Sequence, residues 1–324
     1  MSKFMTELLS ATPDGITRAV ALLRDGQLVG LPTETVYGLA GDARNNMACA
    51  RIFEAKGRPN FNPLIVHVLD LADVAKVAEI SDPAAALASA FWPGPMTLVL
   101  PLKPRHGLSP LVSAGLDTVA IRIPRHPLAR QVLAQFGGAL AAPSANPSGR
   151  ISPTDARHVL AGLGGEIAAV LDGGSSEVGM ESTILAPVAG SVVLLREGGI
   201  PREAIERLTG PLSVGTTPGK LTAPGQMNSH YAPHTKVQMN KDLTNPHCVR
   251  IGFGPRSVTS EFTLSQSGDL TEAAANLFRV LHEADAFAQT NARLEIHIAP
   301  VPEKGLGRAI NDRLRRASAT TDQA

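Results

Sequence analysis

Residues 31–42, LPTETVYGLAGD, are the stretch on which the fold turns. Thr33, Glu34, Thr35 and Tyr37 stand between a short apolar strand, 28–31, and what reads as a glycine turn. Polar side chains just past a strand end are where ligands gather in α/β sheets, although ordinary capped turns use the same residue types. The neighbouring segments separate the two readings. Upstream, Ile16, Ala19, Val20 and Leu23 recur at helical spacing and predict a helix over 14–25, ended by Gly26. Downstream, helices are expected near 46–55, 71–79, 83–91, 127–136, 154–162 and 201–209. Strands are expected at 64–68, 97–100, 119–123, 139–142, 168–171, 182–186 and 192–195. Alternation of this kind predicts an α/β fold, a twisted mixed sheet with flanking helices.

The pattern breaks after residue 210. Residues 211–236 are rich in Pro, Gly, Ser and Thr without a period, and read as a segment crossing between two units. Residues 237–324 then supply strands at 249–253, 262–264 and 294–298 and helices at 270–289 and 305–317, a small second α/β domain. The expected division is therefore 1–210, 211–236 and 237–324.

Composition excludes several classes. With 30 Lys and Arg against 29 Asp and Glu, the net charge is +1, which is not the basic excess of a protein that grips nucleic acid. The basic helix carrying Arg308, Arg313, Arg315 and Arg316 reads as a solvated face. Two cysteines, Cys49 and Cys248, form neither a disulfide framework nor a metal motif. The first residues lack the apolar core of a signal peptide, and no apolar run approaches a membrane span. A reducing, cytoplasmic setting without membrane contact is expected.

Chemistry concentrates in five further segments. KGRPNFNPL, 56–64, fixes Lys56 and Arg58 beside Gly57 and Pro59, as a polyphosphate site requires; Asn62 and His67 follow. FWPGPMTLVL, 91–100, positions a strand and is read as structural. DTVAIRIPRHP sets Thr118 at a strand start and Arg122 inside the strand, where arginine needs a buried carboxylate from protein or ligand. AAPSANPSGRISPT, 141–154, offers Ser144, Asn146, Ser148 and Ser152, and the helix start that follows it favours an anion. ESTILAP and VVLLREGGIP place Ser182, Thr183, Arg196 and Glu197 at strand ends. His230 and His234 are spaced i, i+4, but Pro233 argues against the helix that would make this a zinc site.

In order and spacing, PTETVYGL, KGRPxxNPL, PGPxT, VAIRIP, APSAN, ESTI and REG closely resemble the YrdC-like threonylcarbamoyl-AMP synthases. SGDLTEAAANLF and GLGRAINDRLRRA resemble the extra C-terminal domain of the longer, two-domain members, so the resemblance spans nearly the whole chain. It implies a YrdC-like catalytic sheet with a small Rossmann-like C-terminal domain. By resemblance, Lys56 and Arg58 face phosphates as catalytic groups. Thr35, His67, Arg122, Ala142 and Ser182 hold L-threonine, whose carboxylate answers Arg122. Asn62, Thr118, Ser144, Asn146, Ser152 and Arg196 line an ATP/AMP site, with Tyr231 of HYAP crossing the cleft mouth.

The implied reaction joins L-threonine, bicarbonate and ATP, with Mg2+, into threonylcarbamoyl-AMP and pyrophosphate. The product passes to a tRNA-modifying transferase complex, with weak or no direct tRNA binding. Two rivals remain. One is a non-catalytic RNA- or nucleotide-binding module, disfavoured by the near-neutral charge. The other is a carbamoyl-transfer maturation enzyme, which needs cysteine-rich zinc segments that this chain does not have.

Overall fold

The structure is a computed structural model, and it describes residues 5–58, 62–188, 190–215 and 230–319. Most of the crossing segment, 216–229, and Pro59 of the cation segment lie outside the described residues, so the readings placed on them carry no structural account.

The N-terminal unit opens with β1 (Glu7–Leu9), α1 (Pro13–Arg24), β2 (Val29–Leu31) and β3 (Gly38–Asp42). Then come α2 (Asn46–Ala55), β4 (Ile65–His67), α3 (Leu71–Val77), α4 (Asp82–Phe91), β5 (Met96–Pro101), α5 (Pro110–Ser113) and β6 (Thr118–Arg122). It continues through α6 (Pro127–Phe136), β7 (Leu140–Ala141), α7 (Ala156–Leu163), β8 (Ala169–Leu171), β9 (Thr183–Val188), β10 (Ser191–Arg196), α8 (Arg202–Thr209) and β11 (Ser213–Val214). Among the described residues its strands form one mixed sheet in the order β1-β8-β2-β3-β7-β4-β6-β5-β9-β10-β11.

The C-terminal unit holds β12 (Lys236–Gln238), β13 (Val249–Gly252), a 3-10 turn at Gly254–Thr259, β14 (Phe262–Thr263), α9 (Leu270–Thr290), β15 (Glu295–Ile298) and α10 (Leu306–Ser318). Its sheet, β12-β15-β13-β14, is wholly parallel.

Helix starts follow local chemistry. The Asn45 side chain accepts from the amides of Met47 and Ala48, and Pro fills the first turn of α1, α4 and α6. The expected glycine turn at 38–42 is instead β3, a buried strand paired antiparallel with β2 and β7. Its glycines answer close packing: a Cβ on Gly38 would lie 3.1 Å from the Ala142 Cβ, and one on Gly41 3.0 Å from Leu28.

The two units share one apolar cluster. Val36, Ile151 and Met180 pack with Tyr231, Phe278 and Leu281. The stacked rings of His158 and His282, 3.9 Å apart, also bridge them. The basic last helix is a solvated face only in part, at Arg315 and the half-buried Arg308 and Arg316. Arg313 is fully buried, while Arg308, Arg315 and Arg316 pair with Glu203, Glu303 and Asp312. Among the described residues no helix is long and apolar enough to cross a membrane.

Candidate active site

β2 and β3 pair as a hairpin whose intervening loop, 32–37, carries Thr33, Glu34 and Thr35, all buried. β4 and β6 run parallel beside β7 and set His67 next to Arg122 in register. α2 ends at Lys56, and β9 and β10 bring Ser182 and Arg196 to the same place. These groups line one pocket of about 720 Å3, partly open to solvent.

One end of the pocket is pinned. The Arg122 guanidinium sits 2.7 Å from the Glu34 carboxylate and donates to Thr35 Oγ1 at 2.6 Å and to the Gly94 carbonyl at 3.2 Å. Of the two sources the sequence left open for the carboxylate that Arg122 requires, protein or ligand, the protein's own Glu34 supplies one. Burial pushes the Glu34 carboxyl up, but the Arg122 charge outweighs it and the net shift is downward. Burial, and then the Arg122 charge, push His67 down to about 3, so its imidazole is neutral. Its Nδ1 is buried without a partner. Ser182 Oγ lies 2.7 Å from Thr97 Oγ1.

The other end is cationic. Lys56 Nζ donates to the Ser144 and Asn146 carbonyls, each at 2.6 Å. Burial and the neighbouring Arg58 lower Lys56 to about 7. Arg58 is half-buried over the Phe53 ring, and burial lowers it to about 10, so it stays charged. Arg196 grips the Ser182 carbonyl at 2.9 Å and its hydroxyl at 3.2 Å.

Of the fourteen residues that the resemblance assigns, ten meet in this pocket: Thr35, Lys56, Arg58, His67, Arg122, Ala142, Ser144, Ser182, Arg196 and Tyr231. Four do not line it. Asn62 is half-buried just past the undescribed residues 59–61. Thr118 starts β6, roughly 13 Å along the strand from Arg122 at strand rise. The Asn146 amide donates to the Pro147 and Arg150 carbonyls and shapes the loop. Ser152 donates to Glu181 at 2.5 Å. The anion expected at the start of α7 is Asp155 itself, which caps that helix through the His158 amide. His230 and His234 do not converge: His230 lines the pocket, while His234 pairs with Asp285.

Sequence reasoning missed Glu181 and His230, both of which line the pocket. Burial holds His230 down near 3, and its ring lies against Tyr231. Spacing signalled neither residue; position beside Ser182 and Tyr231 was the available hint. Tyr231 itself adopts a left-handed backbone, φ 62°, and Ala232 donates to the Gly149 carbonyl, so this short segment lies along the 141–154 loop.

A mixed α/β sheet that gathers a buried arginine, hydroxyls, an imidazole and a cluster of cations in one pocket defines a class: proteins with a polar small-molecule site built on strand ends. The comparisons make this specific. A family model described as telomere recombination matches residues 21–198, and one described as the C-terminal domain of threonylcarbamoyl-AMP synthase matches 200–319. A Bacillus subtilis threonylcarbamoyl-AMP synthase is 39% identical, covering 97% of this chain and 96% of its own length. One from Pyrococcus abyssi is 38% identical, covering 93% of each. The crystal structure of the P. abyssi Sua5 protein complexed with L-threonine superposes with a TM-score of 0.85 at 37% identity, covering 97% of each chain. This chain belongs to the threonylcarbamoyl-AMP synthase family.

Proposed function

We propose that the protein condenses L-threonine, bicarbonate and ATP into threonylcarbamoyl-AMP and pyrophosphate, the donor for N6-threonylcarbamoyladenosine in tRNA. The observation that carries this reading is that Thr35, His67, Arg122 and Ser182 share one pocket with Lys56, Arg58 and Arg196. The threonine amine attacks the bicarbonate carbon, and water leaves a carbamate. A carbamate oxygen then attacks the α-phosphorus of ATP, and the bond to pyrophosphate breaks. Negative charge grows on the phosphoryl oxygens and the leaving group, where Lys56, Arg58 and Arg196 stabilise it. Arg122, held in one orientation, receives the amino-acid carboxylate, and neutral His67 offers its unpartnered nitrogen to the same substrate. Ser144 and Tyr231 are assigned to the nucleotide side.

The residues present do not fit a protein-held Mg2+. Such ions take carboxylates together with substrate phosphates. Among the described lining residues Glu181 is the single carboxylate, and it is engaged by Ser152 and Arg313. No step is therefore routed through the metal. We assign residues 1–210 as the catalytic unit, 211–236 as the crossing segment and 237–324 as the small domain. The product, labile in water, passes in the cytoplasm to a separate tRNA-modifying transferase.

Pyrophosphate release from ATP tests this, with threonine and bicarbonate each added or withheld. Release requiring both, together with a threonylcarbamoyl-AMP peak by mass spectrometry, is expected. Release indifferent to threonine would sink the assignment.

A further inference from the structure

The small domain reaches the pocket through one side chain. Helix α10 buries a stripe of Ala309, Ile310, Leu314 and Ala317, and Arg313 stands in the middle of it with no exposure. A fold held only by packing would place an aliphatic residue there, because a buried guanidinium is costly unless fully engaged. Arg313 is engaged. Nε donates to Glu181 Oε2 at 3.1 Å, and Nη1 donates to the Glu197 carbonyl at 2.7 Å and to Asp312 at 3.0 Å. The guanidinium also lies over the Tyr231 ring at 5.5 Å. Glu197 and Glu181 belong to the REG and ESTI segments, and Glu181 and Tyr231 line the pocket.

Glu181 is the carboxylate that a polyphosphate pocket should least want. Its charge acts on Lys56 and His230. Loose, it would pair with the nearest cation and repel an incoming phosphate.

We propose that Arg313 is a positioning residue for this pocket: it anchors Glu181 toward the small domain, assisted by Ser152, and so keeps the carboxylate from neutralising Lys56. Burial alone raises the Glu181 carboxyl, while Arg313 and then Arg196 more than reverse this, so Glu181 is ionised and has to be placed. The inference deepens the proposed function, since the anion that benefits is the phosphate chain.

Titration with inorganic pyrophosphate, followed by calorimetry on the full chain, tests it without turnover. Arg313→Met should weaken binding about tenfold or more, the size of one charge-assisted contact. Arg313→Lys should weaken it less. The decisive variant is Arg313→Met combined with Glu181→Gln, which removes the competing carboxylate and should recover affinity over Arg313→Met alone. A merely structural arginine would give no such recovery. If Arg313→Met does not fold, Arg313→Lys with and without Glu181→Gln makes the same comparison. Equal loss in single and double variants, or no loss in either, overturns the proposal. Wild type that binds pyrophosphate yet ignores threonine would sink the proposed function, while the variant comparison would still decide this inference.

Discussion

Arg122 and Arg58 stand in one pocket and are held in opposite ways. Arg122 is almost wholly buried, ion-paired with Glu34 and hydrogen-bonded to Thr35 and Gly94. Arg58 is half-buried just past the end of α2, and its guanidinium lies over the Phe53 ring. The first is part of the fold and cannot be removed without breaking a buried pair. The second lies over an aromatic ring, and the proposed function assigns its donors to the phosphate chain. The difference teaches that one pocket can hold one arginine through a buried ion pair and another only against an aromatic ring.

The comparison breaks first at Arg122. Arg122→Met leaves Glu34 buried and unpaired, and should cost about 3–5 kcal/mol of stability in urea unfolding. A loss under ~1 kcal/mol, the range of an exposed pair, would mean that the pair is not built into the fold. Arg58→Ala should do the reverse. Its unfolding midpoint should stay near wild type, while the barrier to pyrophosphate release rises by about 2.7–4 kcal/mol. An Arg58→Ala protein that unfolds early would erase the contrast.

Lys56 sharpens it through pH. Burial and the neighbouring Arg58 hold its folded pKa at about 7, below the ordinary lysine value of 10.5. Between these values the unfolded chain holds the proton and the folded chain does not, so this group's contribution to stability grows as pH rises from 7 to 10.5. Pyrophosphate affinity should move the other way, falling by up to about tenfold per pH unit above the free protein's value of about 7 as the ammonium is lost. Lys56→Arg should flatten that profile; an unchanged slope would exclude Lys56 as its source. The smallest effect is expected at Asn45, which caps the helix carrying Lys56 and Arg58. Asn45→Ala should lower stability by ~1 kcal/mol and leave kcat nearly unchanged. A large activity loss there would mean that the phosphate end depends on helix rigidity.

Much of this was legible in the chain. The helical period at Ile16 to Leu23, the apolar strand around His67 and the arginine in VAIRIP fixed most elements and one end of the pocket, because burial imposes a period that sequence must obey. Strand β3 was not legible, since its glycines look like a turn until Ala142 is packed against them. β1 was missed because three residues carry no local signal, and its partner β8 lies some 160 positions away. Glu181 and Arg313 were missed for the same reason. Each reads as an ordinary solvated charge, and their contact spans 132 residues.

By itself, the sequence determined the residue types a phosphate and an amino acid require, their order, and the family they belong to. The tertiary structure decided which of them meet. It gave Arg122 a protein carboxylate, turned Ser152 and Asn146 inward to support the loop, and joined α10 to the pocket through Arg313. Periodicity and turn chemistry act over a few residues and can be read along a chain. The pairing of buried charges is settled only when distant segments leave water together, since a charge solvated in the unfolded chain has no preferred partner until burial makes one necessary.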